Sequence, residues 1–235
     1  MKDESQRTYL HLAFAWKVDA DMKGSKQLAM VRALLDHGAS TTINAIDRKK
    51  ETPLLPAVTQ GASETVKLLV ENAADINKQV ESRMHPLLYA AKRESFAIVH
   101  ILLEAGADVK VINPLGKSAL WEAVSNNNIT MAKLLLEEGA DPNWKSHFGK
   151  SLIFHALHTV TLRLLSNSNQ LDVFGVFDLL LTSGANPNSI DHYGQTILIA
   201  AIRAGVYSII ETLLGHGADA NLRDKAGITP LSFQL

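Results

Sequence analysis

The chain has 235 residues, 46% of them hydrophobic and 20% charged, the balance of a chain that folds rather than one that stays disordered. Its 23 basic and 24 acidic residues leave a net charge of -1, which excludes a global field for nucleic acid. The lack of cysteine excludes disulfides, thiolate zinc sites and a cysteine nucleophile.

No apolar run approaches the roughly 18 residues that span a bilayer. Met1–Thr8 is also too charged for the apolar centre of a secretory signal. These features predict a cytoplasmic or nuclear protein with no membrane and no nucleic-acid partner. Gly106–Ala107 recurs at Gly139–Ala140 and Gly184–Ala185 at Gly217–Ala218, a step of 33 residues both times. A period of that size marks a stack of repeats, so length here counts repeats within one array over residues 1–235.

The first repeat, about residues 8–46, begins at the helix-cap position Thr8, and no hairpin finger is expected before it. Extra residues near 17–25 read as a loop, after which Leu28, Val31, Leu34 and Leu35 supply a buried helical stripe. In the second repeat, 47–79, Pro53 opens a helix, Gly61 sits in the turn between helices, and Val66, Leu68, Leu69 and Val70 are the apolar stock. Ala73 stands where glycine would end the second helix; a left-handed residue there costs about 1 kcal/mol. The third repeat, 80–112, keeps Pro86, Leu87, Ala90, Ile98, Val99, Leu102 and Leu103. Lys50 and Arg83 replace the glycine found at Gly116, Gly149, Gly194 and Gly227, so those two fingers are expected to depart from the regular hairpin.

The fourth repeat, 113–145, is the clearest copy. Ser118 caps a helix carrying Leu120, Ala123 and Val124, and Asn126–Asn128 break it. A second helix carries Ile129, Ala132, Leu134, Leu135 and Leu136 and ends at Gly139. The fifth repeat, 146–190, contains an insertion near 160–175, and its apolar pattern predicts two lengthened helices meeting at a tip around Ser166–Asn169. The sixth, 191–223, is regular. A partial seventh, 224–235, offers Leu231, Phe233 and Leu235 where an array needs a polar cap, so either more chain follows or that end packs on something, such as another copy.

Thr8-Tyr9-Leu10-His11-Leu12-Ala13, Thr52-Pro53-Leu54 and Thr229-Pro230-Leu231 resemble the T-P-L-H-x-A signature of ankyrin repeats, and the endings at Gly139–Asn143 and Gly217–Asn221 resemble that family's G-A-D-x-N turn. The resemblance implies an all-α solenoid of stacked helix-turn-helix repeats with β-hairpin fingers. It also implies a non-catalytic protein-protein interaction module whose concave groove is formed by the fingers and first helices. By register it places Arg48, Lys49, Lys92 and Arg93 toward one end of the groove and Trp144, His147, Phe148, Lys150, His158, His192, Tyr193 and Arg203 toward the other. Aromatic side chains with basic neighbours are the composition of an interface hot spot, so the latter group is the expected partner-binding site, across repeats four to six. In the family the histidine of the signature ties adjacent fingers. Only His11 retains it; Trp121 and Phe154 fill that slot in repeats four and five, where they stack or open onto a pocket.

Other motifs fail on chemistry. Gly116-Lys117-Ser118 and Gly149-Lys150-Ser151 lack the earlier glycine of a phosphate loop, having Val111 and Trp144 there. Asp19–Gly24 begins like a calcium loop, but Lys23 and Met30 occupy ligand positions. No cofactor, metal or catalytic residue is therefore expected. The competing expectation is an enzyme or small-molecule binder with a pocket beside the elongated fifth repeat, where His155, His158 and Trp121 are the first suspects.

Overall fold

Helices too short to stand alone in water persist here because each buries its apolar stripe against the next. The computed structural model describes residues 2–15, 23–78, 85–166 and 172–232. They form two compact units, Met1–Asn113 and Pro114–Leu235. The first contains α1 (Tyr9–Ala15), α2 (Lys23–Asp36), α3 (Leu54–Thr59), α4 (Ser63–Glu71), α5 (Pro86–Lys92) and α6 (Phe96–Glu104). The second contains α7 (Ala119–Ser125), α8 (Ile129–Glu137), α9 (Leu152–Leu165), α10 (Gly175–Thr182), α11 (Ile197–Arg203) and α12 (Tyr207–Gly215).

Each unit has two layers. In the first, α1, α3 and α5 pack in series, as do α2, α4 and α6; in the second, α7, α9 and α11 form one layer and α8, α10 and α12 the other. The expected stripes are largely the observed core. Leu120, Ala123, Val124, Ala132 and Leu135 are buried, joined by Met131, while Ile129, Leu134 and Leu136 are only half-buried. The Ser118 hydroxyl accepts from the Trp121 N–H at 3.2 Å, and Gly139 ends α8 with φ of 89°. In the first repeat Val31 and Leu35 are buried but Leu28 and Leu34 are half-buried. The gap is filled by a polar side chain: Gln27 donates to the Gln60 side chain at 3.0 Å, and Gln60 donates to the Phe14 carbonyl at 2.9 Å.

Several expectations are corrected. Among the described residues the fingers are tight turns rather than strands, with single antiparallel bridges at Lys145 with Ser151 and Ile190 with Thr196. In most of them an aspartate side chain helps to close the turn, whereas Ser146 holds that position in the finger 145–151. Asp191, for example, accepts from the Tyr193 and Gln195 N–H groups at 2.9 Å each. A finger does precede the first repeat: Asp3 N–H donates to the Arg7 carbonyl and Gln6 N–H to the Asp3 carbonyl, the bonds that Asp47, Lys50 and Glu51 make one repeat later. Asp3 also holds Arg7 in an ion pair at 2.8 Å.

The finger at Lys50 stays regular, since Lys50 itself adopts the left-handed conformation with φ of 61°. Ala73 does the same at 66°. Both meet the steric cost rather than change the turn, as expected of residues whose flanking hydrogen bonds fix the loop. Arg83 lies outside the described residues.

The inserted segments also differ. Residues 23–25, read as loop, are the first turn of α2, and the remainder of that reading, 17–22, lies outside the described residues. In the fifth repeat α9 has 14 residues, twice the 7 of α7. Its partner α10 has only 8, against 9 in α8, so one helix is lengthened rather than two. Asp172–Phe174 lie outside any helix, and the Asp172 carbonyl is held by the Asn127 side chain at 2.9 Å. The expected tip at residues 167–171 lies outside the described residues, as do Phe233 and Leu235, whereas Leu231 is exposed. Among the described residues no helix is long and apolar enough to cross a membrane.

Candidate protein-interaction face of the second unit

Backbone hydrogen bonds close the two turns, Ser146 N–H to the Lys150 carbonyl in one and Asp191 N–H to the Gln195 carbonyl in the other, and the side chains at their tips face solvent. Phe148 and Tyr193 hold equivalent tip positions and are 74% and 75% exposed. Neither ring is packed into the core. Tyr193 lies against His192, with ring centroids 3.8 Å apart. At the other end of that repeat, the Gln195 amide, with its oxygen turned to Arg203, accepts from Nη1 at 2.8 Å and Nε at 3.2 Å.

The preceding finger is tied to its neighbour. Trp144 Nε1 donates to the Gly116 carbonyl at 2.7 Å, and the His147 N–H donates to the Leu115 carbonyl at 3.4 Å. The His147 ring sits 3.3 Å from the Pro114 carbonyl, leaving its edge exposed. A similar link joins Lys225 N–H to the Gly194 carbonyl two repeats on. Trp144, His147, Phe148, Lys150 and His158 thus lie on or just before the finger 145–151 and on α9, and His192, Tyr193 and Arg203 on the finger 190–196 and α11. Within each group the backbone is braced by hydrogen bonds, so the exposed rings are presented on a firm base.

Behind the first group lies a pairing that the linear sequence does not reveal. Trp121, in the histidine slot, is 3% exposed and stacks on His155, centroids 4.2 Å apart and planes 10° from parallel. Phe154 is not its partner. The reason is register: α7 and α9 are neighbours, and His155 on α9 faces back across the layer, where its Nε2 meets the Ser125 hydroxyl at 2.7 Å. Where histidine is kept, His11 Nδ1 accepts from the Thr8 N–H at 3.2 Å, which leaves the Nε2 proton to donate to the Glu51 carbonyl at 2.9 Å. Trp121 cannot reproduce that tie, and its Nε1, the Ser151 hydroxyl and His155 Nδ1 are buried without a hydrogen-bond partner.

Electrostatics around this pair are one-sided. Burial, then the charges of Lys150, Lys117 and His158, push His155 down to about 3. Burial followed by Lys117 lowers Lys150, and burial followed by Lys150 lowers His158. Lys117 is not among the predicted site residues. Its signal lies in the repeated Gly-Lys-Ser, which places Lys117 and Lys150 at the same position of adjacent fingers.

His155 yields a prediction with a definite sign. The folded chain holds it neutral while the unfolded chain has the ordinary value of 6.5, so between pH 6.5 and about 3 the unfolded state binds the extra proton. Stability therefore falls as pH falls through that window and levels off below it, with a loss of about 1–2 kcal/mol by pH 5. His155→Phe keeps a ring on Trp121 and removes that slope. Urea midpoints for both proteins from pH 7 to pH 4.5 check it; parallel curves would mean that His155 titrates normally.

Among the described residues no three histidines, aspartates or glutamates converge to hold a metal. The suspects for small-molecule chemistry are divided by the fold, with Trp121 and His155 packed on each other and His158 exposed.

With this geometry in hand, the comparisons with known proteins are direct. The family model for ankyrin repeats, in three copies, matches residues 1–80, 79–146 and 165–233. The chain belongs to the ankyrin-repeat family. It is similar to the crystal structure of an ankyrin repeat domain from Acinetobacter baumannii AYE, with 26% identity and a TM-score of 0.76 over 89% of this chain and 98% of that one. It is equally similar to the ankyrin repeat domain of Bcl-3, a member of the IkappaB protein family, with 26% identity and a TM-score of 0.76 over 97% of this chain and 94% of that one. A comparison with curated proteins finds no match. Ankyrin repeats in general mediate protein-protein interaction.

Proposed function

We propose that the chain is a cytoplasmic or nuclear protein-recognition module, a single array whose partner seats on the fingers and first helices of repeats four to six. The observation that carries this reading is the exposure of Phe148 and Tyr193, 74% and 75%, on equivalent tips of braced fingers. A monomer gains nothing from holding two aromatic rings in water, whereas burying them against a partner releases about 25 cal/mol for each Å² of apolar surface removed from water. Trp144, His147, Lys150, His158, His192 and Arg203, on or just before the same two fingers and on the first helices that follow them, add polar groups suited to an interface rim.

Affinity capture from the native cell extract tests the reading, with wild type run beside Phe148→Ala/Tyr193→Ala. A protein retained by wild type should be lost or weakened at least about tenfold in the double variant. The variant's thermal midpoint should match that of wild type, because neither ring is core. Equal retention of every partner by the two proteins would sink the proposal, and a large loss of stability would show that the rings support the fold.

A further inference from the structure

The net charge of -1 conceals a segregation within the second unit. Its fingers (114–118, 145–151, 190–196 and 223–229) and first helices α7, α9 and α11 carry seven lysines and arginines against three carboxylates. The second helices α8, α10 and α12, with the turns that flank them, carry one lysine against seven carboxylates among the described residues.

Two of the three carboxylates on the first face are already engaged. Asp191 accepts the N–H groups of Tyr193 and Gln195, and Asp224 those of Ala226 and Ile228. On the basic side, Arg163 donates to the Asn126 carbonyl at 2.7 Å and Arg223 to the Gly227 carbonyl at 2.8 Å. Lys117 and Lys150 stand close enough for the first to disfavour the charge of the second. An anionic occupant beside Lys150 would relieve the repulsion that Lys117 exerts on it.

We infer that the partner presents an acidic peptide segment, rich in aspartate and glutamate and carrying apolar side chains, to the finger face of the second unit. The inference rests on the proposed interaction face and specifies what fits it. Carboxylates of the segment meet Lys117, Lys150 and Arg203, and its apolar side chains cover Phe148 and Tyr193. The acidic layer on the opposite side repels the same segment, so charge selects the face as well as the partner.

A random dodecapeptide library selected on the full chain tests this, because it offers acidic, neutral and basic segments in competition. The recovered peptides should be strongly acidic, and the best of them, synthesised with a fluorescent label, should bind at least about tenfold more weakly to Lys117→Glu/Lys150→Glu. Lys133→Glu, on the opposite layer, should leave binding unchanged. Binding should also weaken roughly tenfold as salt rises from about 50 to about 300 mM.

Neutral or basic winners whose binding still depends on Phe148 and Tyr193 would overturn the acidic assignment and leave the interaction face standing. Winners indifferent to both the charge reversals and the aromatic substitutions would overturn both readings, as would a library that yields none. A labelled oligothymidine that binds more tightly than the best peptide, and is lost with the same charge reversals, would replace the peptide with a single-stranded nucleic acid.

Discussion

Leu135→Ala is expected to destabilise the protein by about 2–5 kcal/mol, read as a shift in the urea midpoint. Leu135 lies in the middle of α8 and is fully buried, with 0% exposure, beside Met131 and Ala132 at 0% each. α8 packs on α7 within its own repeat and on α10 in the next. Truncation therefore opens a void that touches two joints at once, and close-packed neighbours relax only partly into it. Because a repeat array depends on each neighbour contact, the loss should reach beyond α8. An unchanged midpoint would show that the helix faces the other way.

Gly116→Ala should be comparably harmful for a different reason. Gly116 has φ of 74°, and a Cβ built on it would fall 2.5 Å from the backbone nitrogen of His147 and 2.6 Å from that residue's Cδ2. The nitrogen cannot retreat freely, since it is bonded to the Leu115 carbonyl. Left-handed strain and overpacking together give an expected loss of about 3 kcal/mol. Two other glycines separate these contributions. At Gly139, with φ of 89°, nothing lies within 4 Å, so alanine there should lose only about 1 kcal/mol from conformation. At Gly194 the Cβ's nearest neighbours would be atoms of the Lys225 side-chain stem, which can swing aside. Equal losses at Gly116 and Gly139 would mean that the finger yields and the close approach costs nothing.

These residues also show which parts of the fold were legible in the chain. Helix ends carry local chemistry, a hydroxyl at Ser118 or a glycine at Gly139, and a period of 33 residues repeats them, so element order and most of the core follow. Propensity misled where tertiary bonds outweigh it. Lys50 and Ala73 accept left-handed backbone because the hydrogen bonds on either side already fix the turn. Asp3–Arg7 form a finger without a glycine, having Gln6 at φ of 59°.

In the candidate site, the exposure of Phe148 and Tyr193 could be anticipated from their place beside the turn glycine. The Trp121–His155 stack could not, since it depends on how α9 is rotated against α7. The opposed charges of the two layers are invisible to a total that sums them to nearly zero.

The asparagine that closes the repeat ending has a role beyond its own turn. Asn77 donates its side-chain nitrogen to the Gly106 carbonyl while its oxygen accepts from the Asp108 N–H, and Asn44 bridges Ala73 and Asp75 in the same way. In the second unit Asn143 spans Gly184 and Asn186, and Asn188 spans Gly217 and Asp219. These four joints share the same plug and the same socket, whereas Lys110 holds the asparagine position in the third repeat. A whole repeat duplicated or deleted at these points leaves each amide facing a carbonyl and an N–H as before, with no polar group stranded. At these four joints the chain is therefore editable in units of one repeat, which gives an array of this kind a route to lengthen or shorten its surface without redesigning its interior.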